Sequence, residues 1–324
     1  MGYLHKFKSE NKKAIICFQE CLRIRRLHFV EDNSIEVAQL LYNMGAVFAT
    51  QQQFKQAKNC YHEALTVYRK KEESNKMNVA KVLSLLAGTH LELEDVETAI
   101  RCYDESIDLY RAHIQTDQIL VSKGDGVVKI DDDHIDYADA LYNVGFIHFK
   151  KDNYDTAISH YQESLRIYRA PHGNDDLTVA KTMHSLALVY SKQKKYDKAM
   201  VYFEEVLRIR SLYKEQSKNE VEYADTLLGI ALVHEKQREY LEALYNLEEC
   251  LQIRLSHYGQ KSMYVAEVLS NMGIIQGNLR DFKTALKRWE EALVIYEYLR
   301  VSTDDSSVVN LRKNIEKVKK LLKK

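Results

Sequence analysis

The sequence predicts an all-α fold built as a solenoid of repeated helix pairs. Apolar residues return every three or four positions through most of the 324 residues, as one face of an α-helix requires. Pro171 is the single proline, so little in the chain interrupts helices. Two alanines nineteen residues apart recur six times. Because one helical hairpin is too small to bury its own apolar face, we expect these copies to stack.

The alanine pairs define the repeat. The first helices are marked by Ala38, Ala80, Ala138, Ala180, Ala224 and Ala266, and the second helices by Ala57, Ala99, Ala157, Ala199, Ala243 and Ala285. A small residue follows seven places after most first alanines, and a large apolar residue, from Tyr61 to Trp289, follows four places after each second alanine. Small residues permit close helix approach while large ones fill the interface. Complete repeats are predicted to start near residues 36, 78, 136, 178, 222 and 264.

Residues 1–30 are predicted to form a partial repeat that begins inside its first helix. Gly2 precedes Ala14 by twelve residues, the interval that also separates Gly45 from Ala57. A solenoid that starts in the middle of an element leaves apolar residues without earlier partners. We therefore expect the array to extend upstream of Met1 or to self-associate through this open end.

One connector is longer than the others. Ala80 and Ala138 are 58 residues apart, so about sixteen extra residues form a predicted inserted loop at 113–134. Loops tolerate insertions, which favours a surface loop. The β-branched runs at 119–121 and 127–130 leave a second interpretation open, a small hairpin or a strand that folds back over the array.

The single array is predicted to span residues 1–302, and residues 303–324 to form a C-terminal capping helix. Val308, Leu311, Ile315, Val318 and Leu322 give this segment one apolar stripe. Its lysines then lie on the outer, solvated face of the cap.

These features together resemble the tetratricopeptide repeat, and the resemblance covers almost the whole chain. The 42-residue period and the tripeptides 142–144 (YNV) and 270–272 (SNM) are similar to the long repeats of the kinesin light chain group. The resemblance implies a right-handed superhelix whose first helices line a concave groove. It also implies that this groove holds an extended peptide or a helix of a partner.

The resemblance places groove residues one, four, five, eight, eleven and twelve positions after each first alanine. The predicted peptide-binding residues are Gln39, Tyr42, Asn43, Lys81, Ser84, Asp139, Tyr142, Asn143, Lys181, His184, Ser185, Asp225, Asn271 and Asn278. Asparagine amides both donate and accept, so they suit a peptide backbone. The same amides at Asn43, Asn143 and Asn271 would equally well brace neighbouring helices. Lys181, His184 and Lys192 form the predicted patch for an acidic peptide.

Composition restricts the partner and the compartment. The 47 basic and 47 acidic residues cancel, so no bulk field attracts nucleic acid or an anionic membrane, and we expect a protein or peptide partner. Five cysteines without a disulfide framework favour a reducing, cytoplasmic setting.

Catalytic, cofactor and metal motifs are missing from the sequence, which has no P-loop, glycine-rich dinucleotide turn or serine elbow. The sequence therefore predicts a non-enzymatic scaffold or adaptor without a cofactor. The alternative is a regulatory repeat array of a larger enzyme or nucleotide-switch protein whose catalytic domain lies upstream.

Overall fold

The structure is a computed structural model that describes residues 11–28, 35–70, 74–122, 131–213 and 217–322. The regular structure of these residues consists of helices, which confirms the predicted all-α class. The chain divides into two compact units, Met1–Pro171 (unit 1) and His172–Lys324 (unit 2).

Among its described residues, unit 1 contains one helix and then three helical hairpins. The helices are α1 (Asn11–His28), α2 (Ile35–Thr50), α3 (Phe54–Arg69), α4 (Lys76–Glu92), α5 (Val96–Ser122), α6 (Asp132–Lys150) and α7 (Tyr154–His172). The hairpins are α2–α3, α4–α5 and α6–α7.

Unit 2 contains three further hairpins and a final helix. Its helices are α8 (Leu177–Lys192), α9 (Tyr196–Ser211), α10 (Ser217–Gln237), α11 (Tyr240–Tyr258), α12 (Met263–Asn278), α13 (Phe282–Tyr298) and α14 (Ser306–Leu322). The hairpins are α8–α9, α10–α11 and α12–α13.

Each hairpin turns through one residue in the left-handed conformation. These residues have φ between 59° and 66°, and they are Gln52, Glu94, Asp152, Lys194, Arg238 and Arg280. The following backbone N–H returns to the carbonyl five residues earlier, as Asn153 N does to His148 O at 2.9 Å. This pattern ends a helix by satisfying its last carbonyls, and it explains the break in periodicity at Asp152.

The contact between the two helices of a hairpin follows the predicted pairing of small and large residues. All twelve marker alanines are fully buried. A Cβ added to Gly45 would lie 2.5 Å from Tyr61 Cε1, and one added to Gly273 would lie 2.4 Å from Trp289 Nε1. The rings therefore occupy the space that these glycines leave open.

In unit 1, tyrosines near the ends of second helices bond to the first helix of their own repeat. The Tyr68 hydroxyl donates to Gln39 Oε1 at 3.2 Å. The Tyr168 hydroxyl donates to Asp139 Oδ1 in the equivalent place. These bonds hold the α2–α3 and α6–α7 hairpins together at their open ends.

In unit 2, buried arginines occupy the corresponding positions, and they reach the next repeat. Arg210 Nη1 donates to the carbonyl of Glu222 at 2.5 Å. Arg254 Nη1 donates to the carbonyl of Tyr264 at 2.9 Å. Each arginine thus satisfies a backbone carbonyl near the start of the following first helix.

The inserted connector is shorter than predicted. Helix α5 continues to Ser122, and α6 begins at Asp132, so the loop bounds 113–134 and a strand at 119–121 are wrong. Asp131 caps α6, because its side chain accepts hydrogen bonds from the backbone N–H groups of Asp133 and His134. Residues 123–130, which include the second β-branched run, lie outside the described residues.

The two ends of the chain agree with the prediction in part. Ala14 and Phe18 of α1 are buried in one core with residues of α2, as a second helix requires. Residues 1–10 lie outside the described residues, so the partial repeat and its self-association stay predictions. In α14, Val308 and Val318 are buried but Leu322 is 44% exposed, so the apolar stripe ends earlier than predicted.

Candidate functional site

The first helices of successive repeats contact each other within each unit. In unit 1, α2 contacts α4 and α4 contacts α6, and in unit 2, α8 contacts α10. We call the exposed surface of α2, α4 and α6 the inner face of unit 1, and that of α8, α10 and α12 the inner face of unit 2.

On α2, the three predicted residues are held by the protein itself. Gln39 is exposed and accepts from Tyr68, whereas Tyr42 is half-buried with its ring centroid 6.4 Å from that of Tyr61. Asn43 is buried, and its Nδ2 donates to the carbonyl of Gln39 at 2.6 Å. Tyr42 and Gln39 thus present accessible polar atoms, but Asn43 does not.

On α4, the predicted lysine already binds carboxylates. Lys81 Nζ lies 2.8 Å from Asp133 Oδ1 and 3.3 Å from Asp136 Oδ2, both at the start of α6. Burial lowers the pKa of Lys81, but the two carboxylates outweigh it and leave the pKa raised. Ser84 Oγ lies 2.8 Å from Ser106 Oγ. The ammonium group therefore links α4 to α6 and is not a free cation for an acidic peptide.

On α6, the predicted residues contact three different neighbours. Asp139 is exposed and accepts from Tyr168, and the Tyr142 ring centroid is 5.3 Å from that of Tyr161. The Asn143 side chain forms a hydrogen bond with Tyr103 of the preceding repeat. Burial raises the pKa of Tyr103, and this hydrogen bond lowers it in part. Asn143 therefore braces α6 against α5.

On α8, the predicted basic patch is reduced by one member. Lys181 is exposed, and Ser185 Oγ donates to the carbonyl of Lys181 at 3.3 Å. His184 packs edge-on against Phe203, with ring centroids 5.4 Å apart. Burial, aided by the charge of Arg210, lowers the pKa of His184 to about 3. The lowered pKa favours the neutral ring, so Lys181 and Lys192 carry the positive charge of the predicted patch.

On α10 and α12, one predicted residue is engaged and two face outward. Asp225 Oδ1 lies 2.8 Å from Arg254 Nη2. Asn271 is half-buried and makes no hydrogen bond with the described part of the chain. Asn278 is exposed at the last position of α12. Of the three equivalent asparagines, Asn271 is the one whose amide is available to a ligand.

The residues eight places after the first alanines were not named as candidates, although the sequence pattern included that position. Three of them are large apolar side chains exposed on the inner faces. Phe146 is 43% exposed, Leu232 36% and Ile274 38%. In unit 2, Leu232 and Ile274 occupy equivalent positions in successive repeats, so this inner face carries exposed aliphatic side chains beside Asn271.

The described residues do not form other kinds of site. No group of three metal-ligating side chains occurs among them, and none of their helices has the length and apolarity to cross a membrane. Burial, followed by the charge of Glu63, raises the pKa of Cys60 to about 11, and burial raises that of Cys250 to about 12. Both are therefore protonated, packed thiols.

A protein-family model described as tetratricopeptide repeat matches residues 36–112, 136–211 and 222–297. No curated protein matches the sequence significantly.

Among solved structures, BtubC (BKLC) from P. vanneervenii is similar with a TM-score of 0.60 and 17% identity, over 77% of this chain and 92% of that chain. The quorum sensor NprR from B. thuringiensis, in its apo form, has a TM-score of 0.62 and 19% identity, over 91% and 74% of the two chains. A signal transduction ATPase with numerous domains and a tetratricopeptide repeat sensor, from Pyrococcus horikoshii, has a TM-score of 0.60 and 15% identity, over 89% of this chain and 42% of that chain. At these identities the likeness concerns the fold.

Proposed function

Since the chain belongs to the tetratricopeptide repeat family, we propose that it is a non-enzymatic scaffold that binds a peptide or helix of a partner protein on its inner faces. We place it in the cytoplasm, where its free thiols stay reduced. The partner chemistry in this proposal is protein rather than nucleic acid or lipid, because the formal net charge is zero.

The observation that carries the proposal is the composition of the inner face of unit 2. Leu232 and Ile274 expose more than a third of their surface on the first helices. Asn271 lies beside Ile274 on α12 with an amide that makes no hydrogen bond among the described residues. Aliphatic side chains next to a free amide suit a peptide, because they bury its side chains while the amide bonds its backbone.

A random-peptide display library selected on the immobilised full chain tests this proposal. The inner-face variant Leu232→Glu/Ile274→Glu places two charges where a ligand would be buried. We expect this variant to retain the selected peptides at least about tenfold less well than the wild-type chain does, since a buried unpaired charge costs well over 1.4 kcal/mol.

The matched control places the same charges on second helices. Val201 and Leu241 are 67% and 70% exposed on the second helices α9 and α11, so Val201→Glu/Leu241→Glu removes more exposed apolar surface than the inner-face variant does. We expect this control to retain the peptides. Equal losses in the two variants, or a loss confined to the control, would overturn the proposed inner-face site.

A further inference from the structure

The inner face of unit 1 carries a cluster in which carboxylates outnumber cations. We call it the Lys81 cluster, and it comprises Lys81, Asp133, Asp136 and Asp139 together with the hydroxyl of Tyr110. The Lys81 ammonium bridges Asp133 and Asp136 at 2.8 and 3.3 Å. Asp139 lies one turn further along α6 and receives a neutral donor, the Tyr168 hydroxyl. The Lys81 ammonium thus pairs with two of the three carboxylates, and His113 Nε2 lies 3.7 Å from Asp133 Oδ2.

Helix capping explains only part of this acidity. Asp131, Asp132 and Asp133 stand at the N-terminus of α6, where acidic residues are favoured by the helix dipole and by capping. Asp136 and Asp139 are the fifth and eighth residues of the helix, counted from Asp132, and the dipole effect is confined to the first turn. Their position on the inner face has no such local cause.

The Lys81 ammonium only partly offsets the effect of burial and of the neighbouring carboxylates on the Asp136 carboxylate. Burial raises the pKa of Asp136, the Lys81 ammonium lowers it, and Asp139 and Asp133 raise it again, so the pKa stays above its ordinary value. A carboxylate in this condition gains free energy when a further cation approaches. The side chain is 41% exposed, so a ligand can reach it.

The Tyr110 hydroxyl gives a second, independent indication that the cluster is incomplete. Tyr110 is 0% exposed, and its hydroxyl has no hydrogen-bond partner among the described residues. Burial, then the charges of Asp136 and Asp133, raise its pKa, so the hydroxyl lies within electrostatic range of these carboxylates. A buried polar atom without a partner lowers the stability of the fold, so the polar network lacks a member at this place.

The side chains around the cluster suit a cation. Tyr42 is half-buried on the neighbouring α2, and burial, followed by the charge of Asp136, raises its pKa. A phenol ring beside a carboxylate can contact an ammonium or guanidinium group with its face while the carboxylate accepts its N–H groups.

We propose that the Lys81 cluster binds a lysine or arginine side chain of the partner peptide, with Asp136 and Asp139 as the acceptors and Tyr42 at its flank. This inference rests on the proposed function and specifies the chemistry of the ligand. Unit 1 thereby selects a basic residue, whereas the patch predicted from the sequence for an acidic peptide, Lys181 with His184 and Lys192, lies in unit 2.

The test uses the same random-peptide library on the full chain and on three variants. Asp136→Asn/Asp139→Asn removes two charges and keeps both side-chain oxygens. Asp136→Glu/Asp139→Glu keeps the charges. Glu92→Gln/Glu94→Gln removes two exposed charges at the opposite end of α4 and serves as the matched control. Far-ultraviolet circular dichroism verifies that each variant is folded.

We expect lysine and arginine to be enriched among peptides retained by the wild-type chain. Asp136→Asn/Asp139→Asn should reduce the retention of these basic peptides at least about tenfold, because a charge-assisted hydrogen bond is worth more than 1.4 kcal/mol. The glutamate variant and the Glu92/Glu94 control should retain them.

The outcomes separate this inference from the proposed function. If peptides bind but show no basic enrichment, or if the asparagine variant retains them fully, the inference is overturned while the scaffold function stands. If no peptide is retained by any form of the chain, the proposed function fails and the inference fails with it.

Discussion

Replacement of Gly45 by alanine tests the packing rule on which the repeat is built. A Cβ at Gly45 would lie 2.5, 2.8 and 2.9 Å from Tyr61 Cε1, Cδ1 and Cζ, well inside van der Waals contact. The Tyr61 ring is 1% exposed and cannot swing into solvent. Helix α2 and the ring must therefore move apart.

The size and sign of the effect follow from two opposing terms. Overpacking a core by one methyl group costs about 1–3 kcal/mol. Alanine in place of glycine inside a helix contributes about 1 kcal/mol of stability. The difference between the two terms is about 0–2 kcal/mol, so we expect Gly45→Ala to lower the free energy of unfolding by up to about 2 kcal/mol.

Gly88 is the matched control, because it also lies in a first helix of unit 1. The nearest atom to a Cβ at Gly88 is the Tyr103 hydroxyl oxygen at 3.5 Å, an ordinary contact. Only the helix term then applies, and Gly88→Ala should raise the free energy of unfolding by about 0.5–1 kcal/mol. Urea titration of the full chain, followed by circular dichroism at the helix band, measures both changes. If the two variants shift stability in the same direction, the close-packing argument is refuted.

Two further predictions concern unit 2. Arg254→Ala should lower the free energy of unfolding by about 2 kcal/mol, because it leaves a backbone carbonyl and two carboxylates, which are about half exposed, without their partner. Trp289 emission during urea unfolding measures the change, and Arg208→Ala, at an exposed ion pair, is the control. Equal effects of the two substitutions would contradict a stabilising role for the Arg254 contacts. The pKa of His184 in the folded chain is about 3, below the ordinary 6.5. Between these pH values the imidazole binds a proton in the unfolded chain but not in the folded chain, so the free energy of unfolding should fall as the pH drops from about 6.5 toward 3. Unfolding titrations at pH 7.5 and 4.5 should show a smaller loss in His184→Gln than in the wild type, and an equal loss would exclude burial of a neutral ring.

The fold was predictable because its rules are local and repeated. An alanine that recurs at a fixed interval indicates a close contact between two helices. A left-handed turn, such as that at Asp152, interrupts the apolar periodicity between them. Six copies of the same pattern remove the ambiguity that any single hairpin retains.

The candidate site was less predictable because each side chain depends on neighbours outside its own repeat position. The sequence identified Lys81 as a groove cation, but the start of α6 supplies Asp133 and Asp136 to neutralise it. Those partners were hidden because the connector was predicted as a loop as far as residue 134. The burial of His184 against Phe203 is likewise set by ring packing that spacing alone does not encode.

The exchange of tyrosine for arginine at the ends of second helices has a consequence for cooperativity. Tyr68 and Tyr168 bond within their own hairpins, whereas Arg210 and Arg254 bond to the hairpin that follows, and Arg254 also pairs with Asp225 of its own hairpin. In a nearest-neighbour description of repeat proteins, the first kind of bond adds to the intrinsic stability of a repeat and the second to the coupling between repeats. At this position, a fluctuation that opens one hairpin of unit 2 also releases a bond of its neighbour. Amide exchange in unit 2 should therefore spread over longer blocks of sequence than in unit 1.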